Sequence, residues 1–297
     1  MHNEDEIKKY LEAGKILAEV RSDVWKKIKP GLGILDLANF IEDEIKKRGA
    51  ELSFPVNISI DEHAAHYTPA FNDKREIKQG DLVKIDMGTH IDGYSADSAL
   101  TYCSEKNKMI ETVNKVLAEA SKIARPGLKV SEIGNLIEDL VRKDGLGLIV
   151  NLTGHGIGRN EFHKEPTIPN TKNNSSRVLQ ENEVIAIEPF VCEGGGSVIE
   201  SGVVEIFRYL QDKPVRSNDA RGILAHIKTN FGQYPFAKRW LFKKFSPLKV
   251  ALALNQLESA GAIESYPVLK EKNNKKVVQA EHTIIVGDKP IVTTPVL

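Results

Sequence analysis

The chain has 297 residues, of which 41% are hydrophobic and 28% are charged, so it can bury the core of one large domain or two medium ones. Lys and Arg together equal Asp and Glu at 41 each, and overall charge therefore favours neither a nucleic-acid nor a membrane partner. The longest apolar runs, VIAI and TIIV, are too short to span a bilayer. No secretory signal is visible in MHNEDEIKK, so we expect a cytoplasmic protein with Cys103 and Cys192 as reduced, buried thiols.

Two stretches of the chain resemble each other. KPGLGILDLANFIEDEI, from Lys29 to Ile45, aligns without a gap with RPGLKVSEIGNLIEDLV, from Arg125 to Val141. Each follows a segment with helical apolar spacing, Glu4–Ile28 in the first case and Glu105–Ala124 in the second. The Pro-Gly pair ends the first helix, and Asp36 or Ser131 can begin the next. The pattern predicts a duplicated helix–helix–strand unit whose halves are related by a pseudo-twofold axis.

A hairpin with two acids follows the first helix pair. In VKIDMGTHIDGYSADSALTYC, the dipeptide Asp92-Gly93 favours a tight turn between two strand-like runs. With that turn at the centre, Asp86 pairs opposite Ala99, and Asp97 lies two places along on the same face. Such diagonal neighbours are roughly 7–8 Å apart at the backbone. Two carboxylates pointing the same way should repel, and a cation between them would remove the conflict.

Three further candidates occur later in the chain. His155 lies in the glycine-rich segment TGHGIG, which alone is typical of an ordinary loop. Glu188 ends the run VIAIE, and Glu281 interrupts VVQAEHTIIV. A lone carboxylate in a strand is usually at an edge or surface, or in an ion-pair network. These two strands are apolar on both faces, however, and a buried carboxylate is costly unless it is paired or bound to metal.

Four carboxylates and one imidazole form an oxygen-rich ligand set. It suits Mn²⁺, Fe²⁺, Co²⁺ or similar ions better than a structural zinc site built from cysteines. The charge of the carboxylates is too high for one divalent ion and matches two. Two ions roughly 3.5–4 Å apart can share a water molecule and lower its pKa, which predicts hydrolysis of an amide, ester or phosphate. His66 and His163 are weaker signals that fit either core histidines or oxyanion donors.

The segment 209–268 differs from the rest. It predicts three short helices, Asp219–Thr229, Phe236–Phe242 and Pro247–Ala260, and a strand–turn–strand end in AIESYPVLKEKNNKKVVQAE. From Ser217 to Tyr266 it carries seven Lys and Arg against three Asp and Glu. We interpret it as a winged-helix-like insertion in a domain formed by residues 1–208 and 269–297.

Together, FPVNISIDEHAAHYTP, KIDMGTHIDGYSAD, GHGIGRNEFH, AIEPF and QAEHTI resemble the methionine aminopeptidases over essentially the whole chain. The ligand order Asp, Asp, His, Glu, Glu is similar to that of the wider pita-bread family, which includes prolidases. The insertion before the fifth ligand resembles the type II branch. Without the long charged N-terminal extension of eukaryotic type II enzymes, the chain resembles the archaeal form. The resemblance implies an α+β pita-bread fold, in which helix pairs cover a curved antiparallel sheet.

The resemblance also implies roles for matching positions. Asp86 would chelate one metal ion, Asp97 and Glu281 would bridge two, and His155 and Glu188 would complete the second. Glu188 would also handle the proton of the nucleophilic water. His66 would lie near the substrate amine and scissile bond, and His163 near the scissile carbonyl. The methionine pocket would be formed by Phe54, Phe162 and Tyr266, although core packing accounts equally well for the two phenylalanines.

The implied activity is removal of the initiator methionine from nascent proteins. A hydroxide bridging two divalent ions (Co, Mn, Fe(II), Ni or Zn) would attack the first peptide bond, with a preference for a small second residue. The alternatives are a prolidase-type peptidase and a non-catalytic pita-bread protein that binds RNA or the ribosome. We expect a monomer with no membrane and no specific DNA partner. The basic insertion leaves room for transient contact with the ribosome.

Overall fold

Amphipathic segments of the chain fold into helices that cover antiparallel strands. The computed structural model describes residues 2–295. The helices are α1 (Glu4–Lys27), α2 (Ile34–Lys47), α3 (Lys108–Lys122), α4 (Val130–Lys143), α5 (Asn218–Phe231), α6 (Lys238–Leu241) and α7 (Pro247–Ser259). The strands are β1 (Glu51–Leu52), β2 (Asn57–Ile60), β3 (His63–Ala65), β4 (Val83–Ile91), β5 (Tyr94–Tyr102), β6 (Gly147–Leu148), β7 (Thr153–Gly158), β8 (Glu161–Pro169), β9 (Val184–Ile187), β10 (Phe190–Cys192), β11 (Val198–Tyr209), β12 (Phe236–Ala237), β13 (Ile263–Glu271), β14 (Val277–Gln279), β15 (His282–Ile285) and β16 (Ile291–Val292).

The predicted duplication is present in the backbone. Helices α1 and α2 are followed by strands, and α3 and α4 are followed by strands in the same way. An isolated antiparallel bridge joins Gly33 to Glu76 just before α2, and an equivalent bridge joins Lys129 to Val178 just before α4. Gly33 and Lys129 occupy aligned positions of the repeat, so the two halves anchor their second helices alike.

The second helix of each pair starts earlier than the sequence suggested. Gly33 and Lys129 are the N-terminal caps of α2 and α4, and Asp36 and Ser131 lie inside the first turn. The isolated β-bridges at Gly33 and Lys129 fix the residues at which these helices begin. Because the bridges join segments far apart in the sequence, helix propensity does not predict them. Helix α3, in contrast, starts later than the predicted Glu105, because the side chain of Asn107 caps it by accepting hydrogen bonds from two backbone N–H groups of the first turn.

Each half encloses its own apolar core. Helices α1 and α2 bury residues such as Leu17 and Ile41 against β2, β4 and β5. Helices α3 and α4 bury residues such as Val116 and Ile137 against β9, β14 and β15. The strands pair antiparallel throughout, in the orders β1-β4-β2 with β5 on β4, β14-β10-β6, β12-β11-β13-β3 and β16-β15-β9-β7-β8. The two halves meet through their strands, since β5 contacts β14 and β15.

The segment after β11 has a core of its own. Side chains of α5, α6 and α7, such as Ile223, Leu241 and Leu254, pack against Phe207 and Ile263 of β11 and β13. The predicted helix at Phe236–Phe242 is partly wrong, because its first two residues form β12 against β11 and only a short α6 follows.

The predicted strand–turn–strand end is also revised. Strand β13 pairs with β11 and β3, whereas β14 pairs with β10, so the two strands are not partners of each other. The partner of each strand depends on the tertiary structure, and the alternation of residues along one strand does not reveal it. The division of the chain at residues 209 and 268 remains a prediction.

Both cysteines are free thiols, with Cys192 buried and Cys103 half-buried. Among residues 2–295, no helix combines the length and the apolar composition that a bilayer crossing requires.

Candidate metal centre and substrate cavity

A cavity of about 600 Å³ opens where the two halves meet. Its walls contain all ten residues that the sequence singled out as site candidates: Phe54, His66, Asp86, Asp97, His155, Phe162, His163, Glu188, Tyr266 and Glu281. These residues come from β4, β5, β7, β8, β13 and the loops between strands. The fold therefore gathers side chains that are as much as 227 positions apart, from Phe54 to Glu281, into one site.

The hairpin of β4 and β5 has the predicted register. Ile91 pairs with Tyr94, so Asp92 and Gly93 form the turn, and both adopt positive φ. Asp86 pairs with Ala99, as expected from the turn. Asp97 therefore lies two residues further along on the face that carries Asp86, and both carboxylates reach the cavity.

Three ligand-type side chains converge most closely. Ligand atoms of Asp97, His155 and Glu281 lie within 4.8 Å of one another, and all three residues are buried. His155 Nε2 is 3.7 Å from Asp97 Oδ2 and 3.8 Å from Glu188 Oε1. Glu188 follows β9 and Glu281 lies between β14 and β15, so these acids belong to the second half of the chain.

His155 belongs to a strand and not to a loop. It sits in the middle of β7, paired with Ala186 of β9. The flanking glycines are required by packing: a Cβ at Gly154 would lie 2.2 Å from Ala186 O, and one at Gly156 would lie 2.5 Å from Glu165 O. The glycine-rich segment thus permits close strand packing, rather than forming the ordinary loop that is typical of such a sequence.

Burial strongly perturbs the acids of the cavity. It raises the pKa of Asp86, and the neighbouring Asp97 adds to the effect. Burial likewise raises the pKa of Glu188 and of Glu281, with Asp97 again the largest charged contributor. Like charges packed in a desolvated site favour protonation unless a cation balances them. When its carboxyls are ionised, the cluster therefore needs a cation to balance its negative charge.

The unpaired oxygen atoms fit divalent metal ions. Asp86 Oδ1, Asp97 Oδ1 and Glu281 Oε1 are buried and accept no hydrogen bond from the described residues. Buried carboxylate oxygens without a donor are rare, and a bound ion is one explanation for them. The imidazole Nδ1 of His155 lies 3.0 Å from the carbonyl oxygen of Gly156, so Nδ1–H donates there and Nε2 is left free as a ligand atom.

Backbone and hydroxyl groups hold the two bridging candidates in place. The N–H of Asp97 donates to Thr283 Oγ1 at 2.7 Å, and the N–H of Glu281 donates to the carbonyl of Ala99 at 3.0 Å. Ser98 Oγ donates to the carbonyl of Glu281 at 3.1 Å. These bonds join β5 to the β14–β15 segment, and so join the acids of the two halves.

Sequence reasoning missed two amides beside the acids. Asn57 of β2 pairs with Asp86, and Gln279 of β14 donates to Glu281 Oε2 at 3.4 Å. Hydrogen bonds from both amides lower the pKa of Asp86, against the larger effect of burial. The signal available in the sequence was an amide residue inside each of the apolar runs PVNISI and VVQAE.

The two predicted histidines lie on the cavity wall. His66 follows β3 with a φ of 62°, an uncommon conformation outside glycine, and its Nδ1 is 3.2 Å from the carbonyl of Pro267. Burial lowers the pKa of His66. The ring of His163 stacks edge-on against His155 at 4.4 Å. Desolvation and then the neighbouring imidazoles lower the pKa of His163, so both rings are neutral near pH 7.

The aromatic candidates fall into two groups. Phe54 and Phe162 contact each other at 5.0 Å between ring centres and form an apolar wall. Gly88 is required beneath this wall, because a Cβ there would lie 2.2 Å from Phe54 Cε1. Tyr266 contacts His66 at 5.5 Å instead, and its hydroxyl donates to Glu264 Oε1 at 2.8 Å. All three aromatic residues line the same cavity, with Tyr266 beside His66.

The geometry agrees with comparisons to known proteins. The model of metallopeptidase family M24 matches residues 8–223. A methionine aminopeptidase of Pyrococcus abyssi is 45% identical over 293 residues, which are 97% of this chain and 99% of the relative. Methionine aminopeptidases of Archaeoglobus fulgidus and Methanocaldococcus jannaschii are 43% and 39% identical, over 96% of this chain and 97% of each relative.

The chain belongs to the methionine aminopeptidases of metallopeptidase family M24. This M24 protein is therefore a metallo-aminopeptidase, a hydrolase, as its acid cluster indicated. The resemblance drawn from the sequence motifs is confirmed over nearly the full length.

Solved structures confirm the pita-bread fold of this M24 chain. A thermophilic Arx1 superposes with a TM-score of 0.84 at 18% identity, over 99% of this chain and 91% of the other. A methionine aminopeptidase of Thermotoga maritima gives 0.73 at 22% identity, over 99% and 98%. A prolidase of Pyrococcus furiosus gives 0.63 at 19% identity, over 99% of this chain and 65% of the prolidase. At such identities the likeness concerns the fold alone.

Proposed function

We propose that this chain removes the initiator methionine from new polypeptides in the cytoplasm. The observation that carries the proposal is the buried cluster of Asp97, His155 and Glu281, with unpaired carboxylate oxygens, in a cavity that has an apolar wall. The full-length likeness to archaeal methionine aminopeptidases supports methionine as the residue removed. The cavity has room for a methionyl side chain and a small second residue.

The cofactor of this proposal is a pair of divalent ions. Asp86, Asp97, His155, Glu188 and Glu281 would hold them, with Asp97 and Glu281 shared. When bound, such ions lower the pKa of water and polarise a peptide carbonyl. The negative charge of four carboxylates balances that of two divalent cations, and an oxygen-rich ligand shell accepts Co, Mn, Fe(II), Ni or Zn.

The residues of the chain would share the remaining work. Glu188, whose pKa burial raises, would accept a proton from the attacking water and return it to the leaving amine. His66 and His163 are neutral. His163 would donate a hydrogen bond to the developing oxyanion, whereas His66, whose Nδ1–H donates to the carbonyl of Pro267, would offer Nε2 as an acceptor to the substrate amine. Phe54, Phe162 and Tyr266 would bind the methionine side chain, and Tyr266 would also support His66.

The proposed organisation places catalysis in residues 1–208 and 269–297 and a basic subdomain in 209–268. That subdomain would permit transient, salt-sensitive contact with the ribosome. We propose a monomer, because all the candidate ligands come from one chain.

Hydrolysis of matched peptides tests the activity. The metal-loaded protein should release methionine from Met-Ala-Ser and leave Ala-Pro-Ser and Met-Trp-Ser uncut, because the site favours methionine and a small second residue. Cleavage restricted to peptides with proline in second position would favour a prolidase. No cleavage, together with co-sedimentation with ribosomes at low salt, would favour the non-catalytic alternative.

A further inference from the structure

Lys84 is a fully buried lysine below the acid cluster. Its side chain is 1% exposed, and within residues 2–295 no carboxylate forms an ion pair with it. It lies on β4 two residues before Asp86, on the same face of the strand. A buried charge without a counter-ion is costly, so its surroundings must provide compensation.

The compensation comes from a cage of backbone carbonyls. Lys84 Nζ donates to the carbonyl oxygens of Val277 at 2.7 Å, Asp61 at 2.9 Å and Leu82 at 3.4 Å. Burial lowers the pKa of Lys84 to about 7. A neutral amine has only two N–H groups for three carbonyls, however, and would turn its lone pair toward the third, so the hydrogen bonds favour the ammonium.

The cage joins the strands that carry the proposed ligands. Asp61 lies in the turn between β2 and β3 with a φ of 50°, and its carbonyl also accepts a hydrogen bond from the N–H of Val277. Val277 begins β14, which leads to Gln279 and Glu281. The ammonium therefore ties β4, which carries Asp86, to the segment that carries Glu281.

We propose that Lys84 is a positioning residue whose ammonium is a built-in monovalent cation, and that its carbonyl cage is a site for K⁺ or NH₄⁺ once the side chain is removed. Carbonyl oxygens replace the hydration shell of K⁺ in other proteins, and NH₄⁺ makes the same contacts as the lysine head group. The inference rests on the ligand roles proposed above, because the cage acts on metal binding through Asp86 and Glu281.

Two variants separate the charge from the volume of the side chain. Lys84→Gln shortens the side chain and leaves space for a small cation, which the amide oxygen could help to bind. Lys84→Met keeps the length and places a methyl group in the cage. Lys276→Met is the matched control, because Lys276 pairs with the Asp61 carboxylate at 3.0 Å but is half exposed and outside the cage.

The measurement is calorimetric titration of Mn²⁺ into metal-stripped protein, together with thermal unfolding, in 0.1 M KCl, NH₄Cl or tetramethylammonium chloride. Ionic strength is thus equal, and the third cation is too large for the cage. For Lys84→Gln we expect Mn²⁺ affinity about 10–100-fold weaker in tetramethylammonium chloride, as is usual when a group that orients metal ligands is lost. KCl or NH₄Cl should restore it and raise the Tm. Lys84→Met should bind Mn²⁺ weakly in all three salts. Lys276→Met should bind Mn²⁺ with the parent affinity in all three.

Wild-type Mn²⁺ affinity in Lys84→Met would overturn the positioning role. Equal behaviour of Lys84→Gln in the three salts would overturn the cation site, whether that protein is folded or unfolded in all of them. Folding of Lys84→Gln only in KCl or NH₄Cl would support it. Neither the Mn²⁺ titration nor thermal unfolding requires peptide cleavage. If the methionine assay fails while the cation dependence is observed, the proposed function is rejected and the inference about Lys84 stands.

Discussion

At the scale of single residues, the site is built from groups that would destabilise an ordinary core. Asp86, Glu188 and Glu281 all have a raised pKa because of burial among like charges. The folded chain therefore retains protons on these carboxyls at pH values where the unfolded chain loses them. Their contribution to stability is complete below the ordinary carboxyl pKa and is lost as the pH rises toward the raised values.

Replacing Glu188 by Gln should remove the free-energy cost of ionising a buried carboxyl among like charges. Without metal, we expect the variant to be more stable than the parent by about 1–3 kcal/mol near pH 7.5, with the difference closing toward pH 4.5. Urea unfolding of both proteins with chelator, between pH 4.5 and 8, measures the difference. Saturating Mn²⁺ should reverse the order. A difference that does not change with pH would contradict the electrostatic explanation.

Gly88 pairs with Asp97 across the hairpin, but a side chain at this position would meet the ring of Phe54 and should therefore affect the methionine pocket. In Gly88→Ala the new methyl group would collide with the ring of Phe54, which Phe162 already confines. We expect the ring to move into the cavity and kcat/KM for Met-Ala-Ser to fall about 10-fold or more, mainly through KM. Mn²⁺ affinity, measured in parallel, should stay at the parent value. Unchanged kcat/KM would show that Phe54 is packing alone.

At the scale of elements, a buried ion pair attaches α6 to the first half of the chain. Arg239 forms a salt bridge with Glu42 of α2, and both side chains are almost fully buried. Arg239 also donates to the carbonyl of Pro69 at 3.1 Å, and Trp240 donates to Glu42 Oε2 at 2.9 Å. The segment 209–268 is therefore anchored beside the loop that follows His66.

Breaking this pair from one side should be far more harmful than removing both charges. We expect Arg239→Met to cost about 3–5 kcal/mol, because Glu42 would stay buried without a cation. Adding Glu42→Gln should recover much of that loss, since an acceptor for Trp240 remains. Urea unfolding measures both. The exposed pair of Lys249 and Asp219 is the control, and Lys249→Met should cost less than about 1 kcal/mol. Equal losses in the single and double variants would contradict the explanation.

At the scale of the whole molecule, metal binding should reinforce the contact between the two halves. The candidate ligands come from β4 and β5 of the first half and from β7, the end of β9 and the β14–β15 segment of the second. Ions held by both sets favour the folded chain over the unfolded chain, in which the ligands are dispersed.

Chelation should therefore lower the Tm, and added Mn²⁺ should raise it with concentration. At a free ion concentration 100 times the Kd, the expected gain is about 2.7 kcal/mol. Asp97→Asn should fold, show no such gain and lose turnover, because a proposed shared ligand is missing. If the acids formed only a structural ion-pair network, Asp97→Asn would instead lose stability and keep its metal response.

Much of the site could be predicted from local patterns. The Asp92-Gly93 turn determined the register of β4 and β5 and placed Asp86 and Asp97 on one face, because alternation along a strand follows from backbone geometry. The repeated Pro-Gly-Leu segments predicted two helix pairs, because apolar spacing and helix-ending residues act over a few positions.

Tertiary structure decided what depends on distant contacts. The starts of α2 and α4, the strand state of His155, the different partners of β13 and β14, and the amides Asn57 and Gln279 beside Asp86 all depend on pairing between segments far apart in the chain. Lys84 gave no signal in the sequence, because a lysine in a strand is ordinarily exposed and only the carbonyls of Asp61, Leu82 and Val277 make its burial tolerable. Local spacing determines which face a side chain occupies, whereas its partner across the fold determines what that side chain can do.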